Sequence, residues 1–383
     1  MRREADSKPD LAADIDAARG RTIAFLRSLQ APDAPAGVLR ISPFHSARDW
    51  PGVLLPGTYN GVMCLDLVGG LDGAADAGRQ DLVDWMEAHR LADGRFRIPG
   101  MVDGDIFKKP DAAETWRYID WHVTNYSLGA IEALAPGRRP NLAFIEPWLE
   151  PLTLKAWLAD RDLRDPWQEG NNIVNLAGFL LLLRRVGDAE AAARVRAALE
   201  ILFAWHDRLR EPTTGFWGVG QLSDPTRMLH AFAGSMHNFH IWYHERRQLE
   251  GQDRAIDYCL SRPPRIDSAC IDVDLVDVLV HGWRLIDHRR HEIEAWLTAM
   301  LGALLAFQNA DGGFCDVRTG VRRQDGWVKG YEEPQGLSNT FATWFRWIAI
   351  AMIADVLWPG RWNWRFRRMI GIGYRCADWH RKS

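Results

Sequence analysis

Six segments of this chain are apolar on every side and would leave a helix no face to turn towards water. They are Tyr59 to Leu71, His122 to Leu134, Asn171 to Leu183, Met228 to Tyr243, Asp274 to Ile286 and Ser338 to Leu357. They alternate with amphipathic, charged segments: Leu11 to Leu29, Asp81 to His89, Leu142 to Leu158, Ala189 to Leu209, Gln252 to Leu260 and Glu292 to Phe307. A helix without a polar face must be surrounded by other helices, and the period-2 alternation of strands is scarce. The order is therefore expected to give an all-α protein, an (α/α)6 toroid or barrel with six inner and six outer helices. Residues 1–360 are assigned to this single domain and 361–383 to a basic, aromatic C-terminal segment.

Similar turns follow the outer segments. Ala88 to Phe96, Leu209 to Gly218 and Phe307 to Phe314 each carry a Gly followed by an aromatic residue, with a fainter version at Leu26 to Leu39. Glycine permits the left-handed step that ends a helix, and the aromatic residue staples the turn to its neighbour. The last of these reads Gln308-Asn309-Ala310-Asp311-Gly312-Gly313-Phe314. It resembles the Gln-Trp repeat of squalene-hopene-type cyclases and the related turns of protein prenyltransferase β subunits, whose shared fold is an α/α toroid.

Composition narrows the function classes. Forty-seven Lys and Arg against 50 Asp and Glu give a net charge of −3, so no basic field points to nucleic acid. Five scattered cysteines without a CxxC pair argue against a disulfide framework and for a reducing, cytoplasmic setting. Residues 1–19 lack the apolar core of a signal peptide. The apolar run Phe341 to Trp358 contains Arg346 and Asp355, so it reads as a buried helix rather than a membrane span. Tryptophan, at 19, outnumbers Phe (15) and Tyr (7), which suggests that some indoles line a cavity.

In a toroid the polar starts of the inner helices meet at one mouth. The sharpest group there is Cys270-Ile271-Asp272-Val273-Asp274-Leu275-Val276-Asp277. It resembles the DxDD acid motif of class II terpene cyclases, with Leu275 at the last acidic position. The resemblance implies Asp274 as a proton donor to an alkene or epoxide and Asp272 as its charge partner. A carboxyl is kept protonated by an apolar pocket and a nearby carboxylate. The competing reading makes Asp272 or Asp274 a helix cap.

Expected substrate contacts are Tyr59, Asn60, His122, Asn125, Asn172, His237, His240, Trp327, Tyr331, Glu332, Asn339 and Trp344. His237, His240 and His244 share roughly one helix face, but no second ligand set accompanies them, so no metal and no cofactor is expected. The tail from Arg361 carries seven basic residues against Asp378, with Trp362, Trp364 and Phe366 between them. It is read as packing back over the outer ring, with peripheral membrane contact as the alternative. The function that the resemblance implies is a class II-like terpenoid cyclase, an isomerase or lyase acting on a prenyl lipid. A carbohydrate-active α/α-barrel enzyme is the alternative: a glycoside hydrolase, polysaccharide lyase or sugar epimerase that pairs Asp274 with Glu332 or Glu333, or uses His237 or His240. A non-catalytic binding toroid is the third.

Overall fold

The computed structural model describes residues 10–72, 76–102, 112–161, 163–319, 328 and 330–377. Twelve α-helices follow one another: α1 Leu11–Ser28, α2 Leu54–Leu67, α3 Asp76–Glu87, α4 Ala112–Leu134, α5 Pro151–Ala159, α6 Pro166–Val186, α7 Ala189–Leu209, α8 Pro225–His244, α9 Gln252–Leu260, α10 Ala269–Leu285, α11 Arg290–Ala306 and α12 Thr340–Leu357. Among the described residues there are isolated β-bridges but no strand. The even-numbered helices pack in a closed cycle, from α2 through α4, α6, α8 and α10 to α12 and back to α2. The odd-numbered helices lie outside them. Helix α12 is long and apolar enough to cross a membrane, yet it is buried within the ring, as Arg346 in its middle requires.

Five of the six inner helices begin earlier than their apolar runs suggest, and α12 begins two residues later. Asp165 and Asp224 accept amide hydrogen bonds as N-caps, and Pro166 and Pro225 occupy the first turn, where proline loses no helical bond. Ser268 caps α10 through Ile271 N. Asp272 and Asp274 are therefore not the cap residue. The segment Leu142 to Leu158 also differs: Pro147 and Pro151 break it into a 3₁₀ turn, Ala143–Leu149, and the short α5, because neither proline can donate to a continuous helix.

The recurrent turns use one device. Gly94, Gly215 and Gly312 have φ of 102°, 77° and 89°. At Gly94 a Cβ would meet Asn141 O at 2.1 Å, and at Gly312 it would meet Arg21 O at 2.4 Å. Only glycine fits such a conformation against a neighbouring backbone. Beyond each glycine, a buried amide donates to a hydroxyl on the next inner helix. Phe96 N bonds Thr124 Oγ1 at 2.8 Å, Trp217 N bonds Ser235 Oγ at 2.8 Å and Phe314 N bonds Thr343 Oγ1 at 3.0 Å. Leu39 N does the same with Thr58 Oγ1 at 3.0 Å.

Among the described residues, the segment after α12 hydrogen-bonds to the outer ring only at its start, where Trp362 donates to Asp16 of α1 at 2.7 Å. Residues 365–376 enter the end of the ring formed by the C-terminal halves of the inner helices and touch all six. Arg365 pairs with Asp66 on α2, and Arg367 NH2 donates to Asn125 Oδ1 on α4 at 2.5 Å. Met369 and Ile370 lie against Gly178 on α6. Gly371 N meets His240 on α8, Cys376 N meets His281 on α10, and Arg375 pairs with Asp355 on α12. Met369, Ile370, Ile372 and Cys376 are buried. The tail's arginines are largely engaged by the fold itself, leaving Arg361 and Arg368 exposed, while Arg381 and Lys382 lie outside the described residues.

Candidate active site

Asp274 lies in the second turn of α10. It is 1% exposed, and neither carboxylate oxygen has a hydrogen-bond partner among the described residues. Burial, reinforced by the charge of Asp277 one turn on, pushes its pKa well above the usual carboxylate range. Both causes disfavour the anion and favour the protonated acid.

Asp272 is not its partner. It forms a fully buried ion pair with Arg346 of α12 and accepts the Asp267 amide at 3.1 Å. Arg346 NH2 continues to Asp316 O at 2.8 Å, and Asp316 Oδ1 accepts Ala269 N at 2.8 Å. Asp272 therefore ties α10 to α12 and to the turn before α12. The carboxylate acting on Asp274 is Asp277, which the DxDD comparison leaves out because it lies three residues on rather than adjacent.

Asp277 is held ionised. His240 Nε2 and His281 Nδ1 donate to its Oδ1 at 2.8 and 2.9 Å, and these interactions outweigh burial to bring its pKa well below normal. Gly371 N donates to His240 Nδ1 at 3.3 Å, which leaves the His240 proton on Nε2, and Cys376 N lies 3.2 Å from His281 Nε2. The charge of Asp277 outweighs burial at His281 and raises its pKa to about 10. The three groups are close enough to chelate an ion, but His240 does not suit one. A histidine that ligates through one nitrogen carries a proton on the other and needs an acceptor there, whereas His240 Nδ1 faces the Gly371 N–H. Purified protein is therefore expected to carry no stoichiometric zinc by metal analysis, and to keep its activity after chelation. One zinc per chain, lost in His240→Ala, would contradict this.

Aromatic groups cluster on α2, α4 and α12, with Tyr126 within electrostatic reach of Asp274. The Tyr126 ring lies 5.5 Å from Tyr59, 5.4 Å from Trp344 and 6.1 Å from His122, and Tyr118 lies 4.4 Å from His122. Tyr118 and Tyr126 lie on an inner helix yet remain only half-buried. The Tyr59 hydroxyl and the side-chain oxygens of Asn60 and Asn172 are buried without a partner among the described residues. Burial lowers His122 to about 4 and His237 to about 3, so both are neutral. Asn125 bonds Asn175 at 2.9 Å and receives Arg367.

Other expected contacts have different tasks. The Tyr331 hydroxyl donates to Glu333 at 2.7 Å, and its ring packs on His45 and Trp50 in a small separate cluster. Asn339 caps α12 and donates to Glu333 at 3.2 Å. Glu332 is exposed. His240 belongs to the Asp277 cluster, and His244 bonds Glu245, so the three histidines do not act together. Trp327 lies outside the described residues. Tyr118, Tyr126 and Arg367 complete the site. Helical spacing from His122 reaches the two tyrosines, but no sequence pattern announces Arg367, which reads as one charge of a basic tail.

No family model and no curated protein sequence matches the chain. The solved structures to which it is similar are type II terpene cyclases. One is MstE from Scytonema in complex with merosterolic acid A, at 13% identity, covering 91% of this chain and 98% of that one, with a TM-score of 0.48. Another is the same enzyme with geranylgeranyl dihydroxybenzoate, at 13% identity, covering 90% and 97%, with a TM-score of 0.47.

Proposed function

We propose that this chain is a proton-initiated cyclase of a prenyl substrate, with Asp274 as the acid. The observation that carries this reading is a fully buried carboxyl without a hydrogen-bond partner among the described residues, its charged form disfavoured by burial, on a ring of helices that also encloses the Tyr59, Tyr126 and Trp344 cluster. Burial keeps the proton on this carboxyl, so it is in the form needed to donate when an alkene is held against it. Protonation forms a C–H bond at the terminal alkene carbon and leaves a tertiary cation at its neighbour. Internal alkenes then add to the cation, each exchanging a π bond for a ring C–C bond. Loss of one proton ends the cascade and solvent restores the Asp274 proton, so the net change is an isomerisation. The faces of Tyr59, Tyr126 and Trp344 offer negative quadrupoles to the migrating charge.

The polar groups proposed for a glycan do not converge in this way. Glu333 is engaged by Tyr331 and Asn339, and His240 by Asp277 and Gly371. The five cysteines are free and four of them are buried, which suits the reducing cytoplasm proposed for this enzyme. Incubation with polyprenyl substrates in deuterated water tests the function. The cyclised product is expected to gain one non-exchanging deuteron at the carbon that was the terminal alkene. Cyclised product without deuterium would remove Asp274 as initiator, and turnover of oligosaccharides alone would replace the reading altogether.

A further inference from the structure

We infer that the C-terminal segment 365–376 forms the floor of the reaction chamber and that the bare backbone at Gly371 sets the length of chain that fits above it. The inference takes its substrate class from the cyclase reading. Its geometry is independent of that reading.

Three observations place the segment under the acid. Gly371 N docks on His240, whose other nitrogen bonds Asp277, and Asp277 lies three residues, about 4.5 Å of helix rise, beyond Asp274. The tip of the segment is thus linked to the helix of the acid through His240 and Asp277. The half-buried Arg367 directs its guanidinium to Asn125 and stands 5.8 and 5.9 Å from the Tyr126 and Trp344 rings. Gly129 leaves room for it, since a Cβ there would meet Arg367 NH2 at 2.9 Å. Finally, Gly371 is buried, yet a Cβ built on it meets only Asn125 Nδ2, at 3.9 Å, among the described residues. A buried position with so few neighbours faces the chamber, whereas a Cβ on Gly373 would meet Arg367 and Ile348 at 3.3 Å and so faces packed side chains.

The two glycines form a matched pair, with φ of 111° at Gly371 and 82° at Gly373. Both Gly→Ala variants are strained, and only Gly371→Ala adds an atom to the chamber. The probe is a series of N,N-dimethylalkylamines of roughly ten to twenty carbons, cationic at neutral pH, with Kd read from tryptophan fluorescence. Affinity should rise up to about fourfold per methylene until the chain reaches the floor, and then level. Gly371→Ala is expected to level at a chain one or two carbons shorter than wild type, while Gly373→Ala levels with wild type. If strain unfolds Gly371→Ala, Gly371→Asn serves as the probe, because asparagine tolerates positive φ best.

With polyprenyl substrates one isoprene unit apart, Gly371→Ala should shift the kcat/KM ratio at least ~10-fold towards the shorter substrate, the scale on which small pocket changes discriminate. Equal levelling lengths in all three proteins would overturn the floor. A shifted length in a protein that cyclises no polyprenyl would uphold the floor and sink the cyclase reading instead.

Discussion

Asp274→Asn is expected to lower turnover of a polyprenyl substrate by at least ~10²-fold, the low end of what a positioned proton donor supplies. The amide keeps the shape of the carboxyl and cannot give up a proton to an alkene. Stability should move in the opposite direction. The folded pKa of Asp274 lies well above its ordinary 3.8, so its contribution to stability is complete below about pH 4 and declines as pH rises towards the folded value. Asn does not titrate. The variant should therefore be at least as stable as wild type at pH 7, and its advantage in urea melts should widen between pH 5 and 8. Asp277→Asn should behave the other way, since a depressed folded pKa stabilises above the unfolded value and is lost only as pH falls. Normal turnover in a destabilised Asp274→Asn enzyme would reduce Asp274 to a structural residue.

Arg346→Met is expected to destabilise the fold by about 3–5 kcal/mol, because it strands the Asp272 carboxylate in a fully buried site. Arg346→Met combined with Asp272→Leu removes both charges and should recover most of that loss, since apolar replacements of buried ion pairs are often neutral or better. Urea denaturation of wild type and the two variants measures both. A single variant within about 1 kcal/mol of wild type, the range of an exposed ion pair, would mean that Asp272 finds another counter-ion. Reduced activity in Arg346→Met, recovered in the double variant, would separate this structural role from that of Asp274.

The ring was legible because burial on all sides leaves a periodicity of its own. Segments such as Asn171 to Leu183 have no polar stripe, and only enclosure accounts for them. Helix starts were less legible: Asp165-Pro166 and Asp224-Pro225 lie ahead of the apolar runs, although such residues are what the first turn of a helix prefers. In the site, Asp274 was found through an acidic cluster on an apolar helix. Its partner was not, because sequence distance does not say which carboxylate has already been claimed by an arginine. Asp272 lies two residues away and belongs to Arg346; Asp277 lies three away and acts on Asp274. Arg367 was the least legible, since its environment is made by α4 and α12 and has no local pattern.

The cycle of inner helices has a bearing on how the chain comes off the ribosome. Helix α2 waits for α12, and the amide of Thr340 closes on Ile41 O at 2.7 Å while the Trp347 indole closes on Thr22 across 325 residues. Until those last segments emerge, one apolar side of α2 has no cover. The contacts that complete the ring are also the most distant in sequence, which slows their formation and prolongs the exposure of that surface. A nascent chain halted before residue 340 should therefore depend on holding chaperones far more than one halted after 376, when the final segment has locked the six helices at their far end.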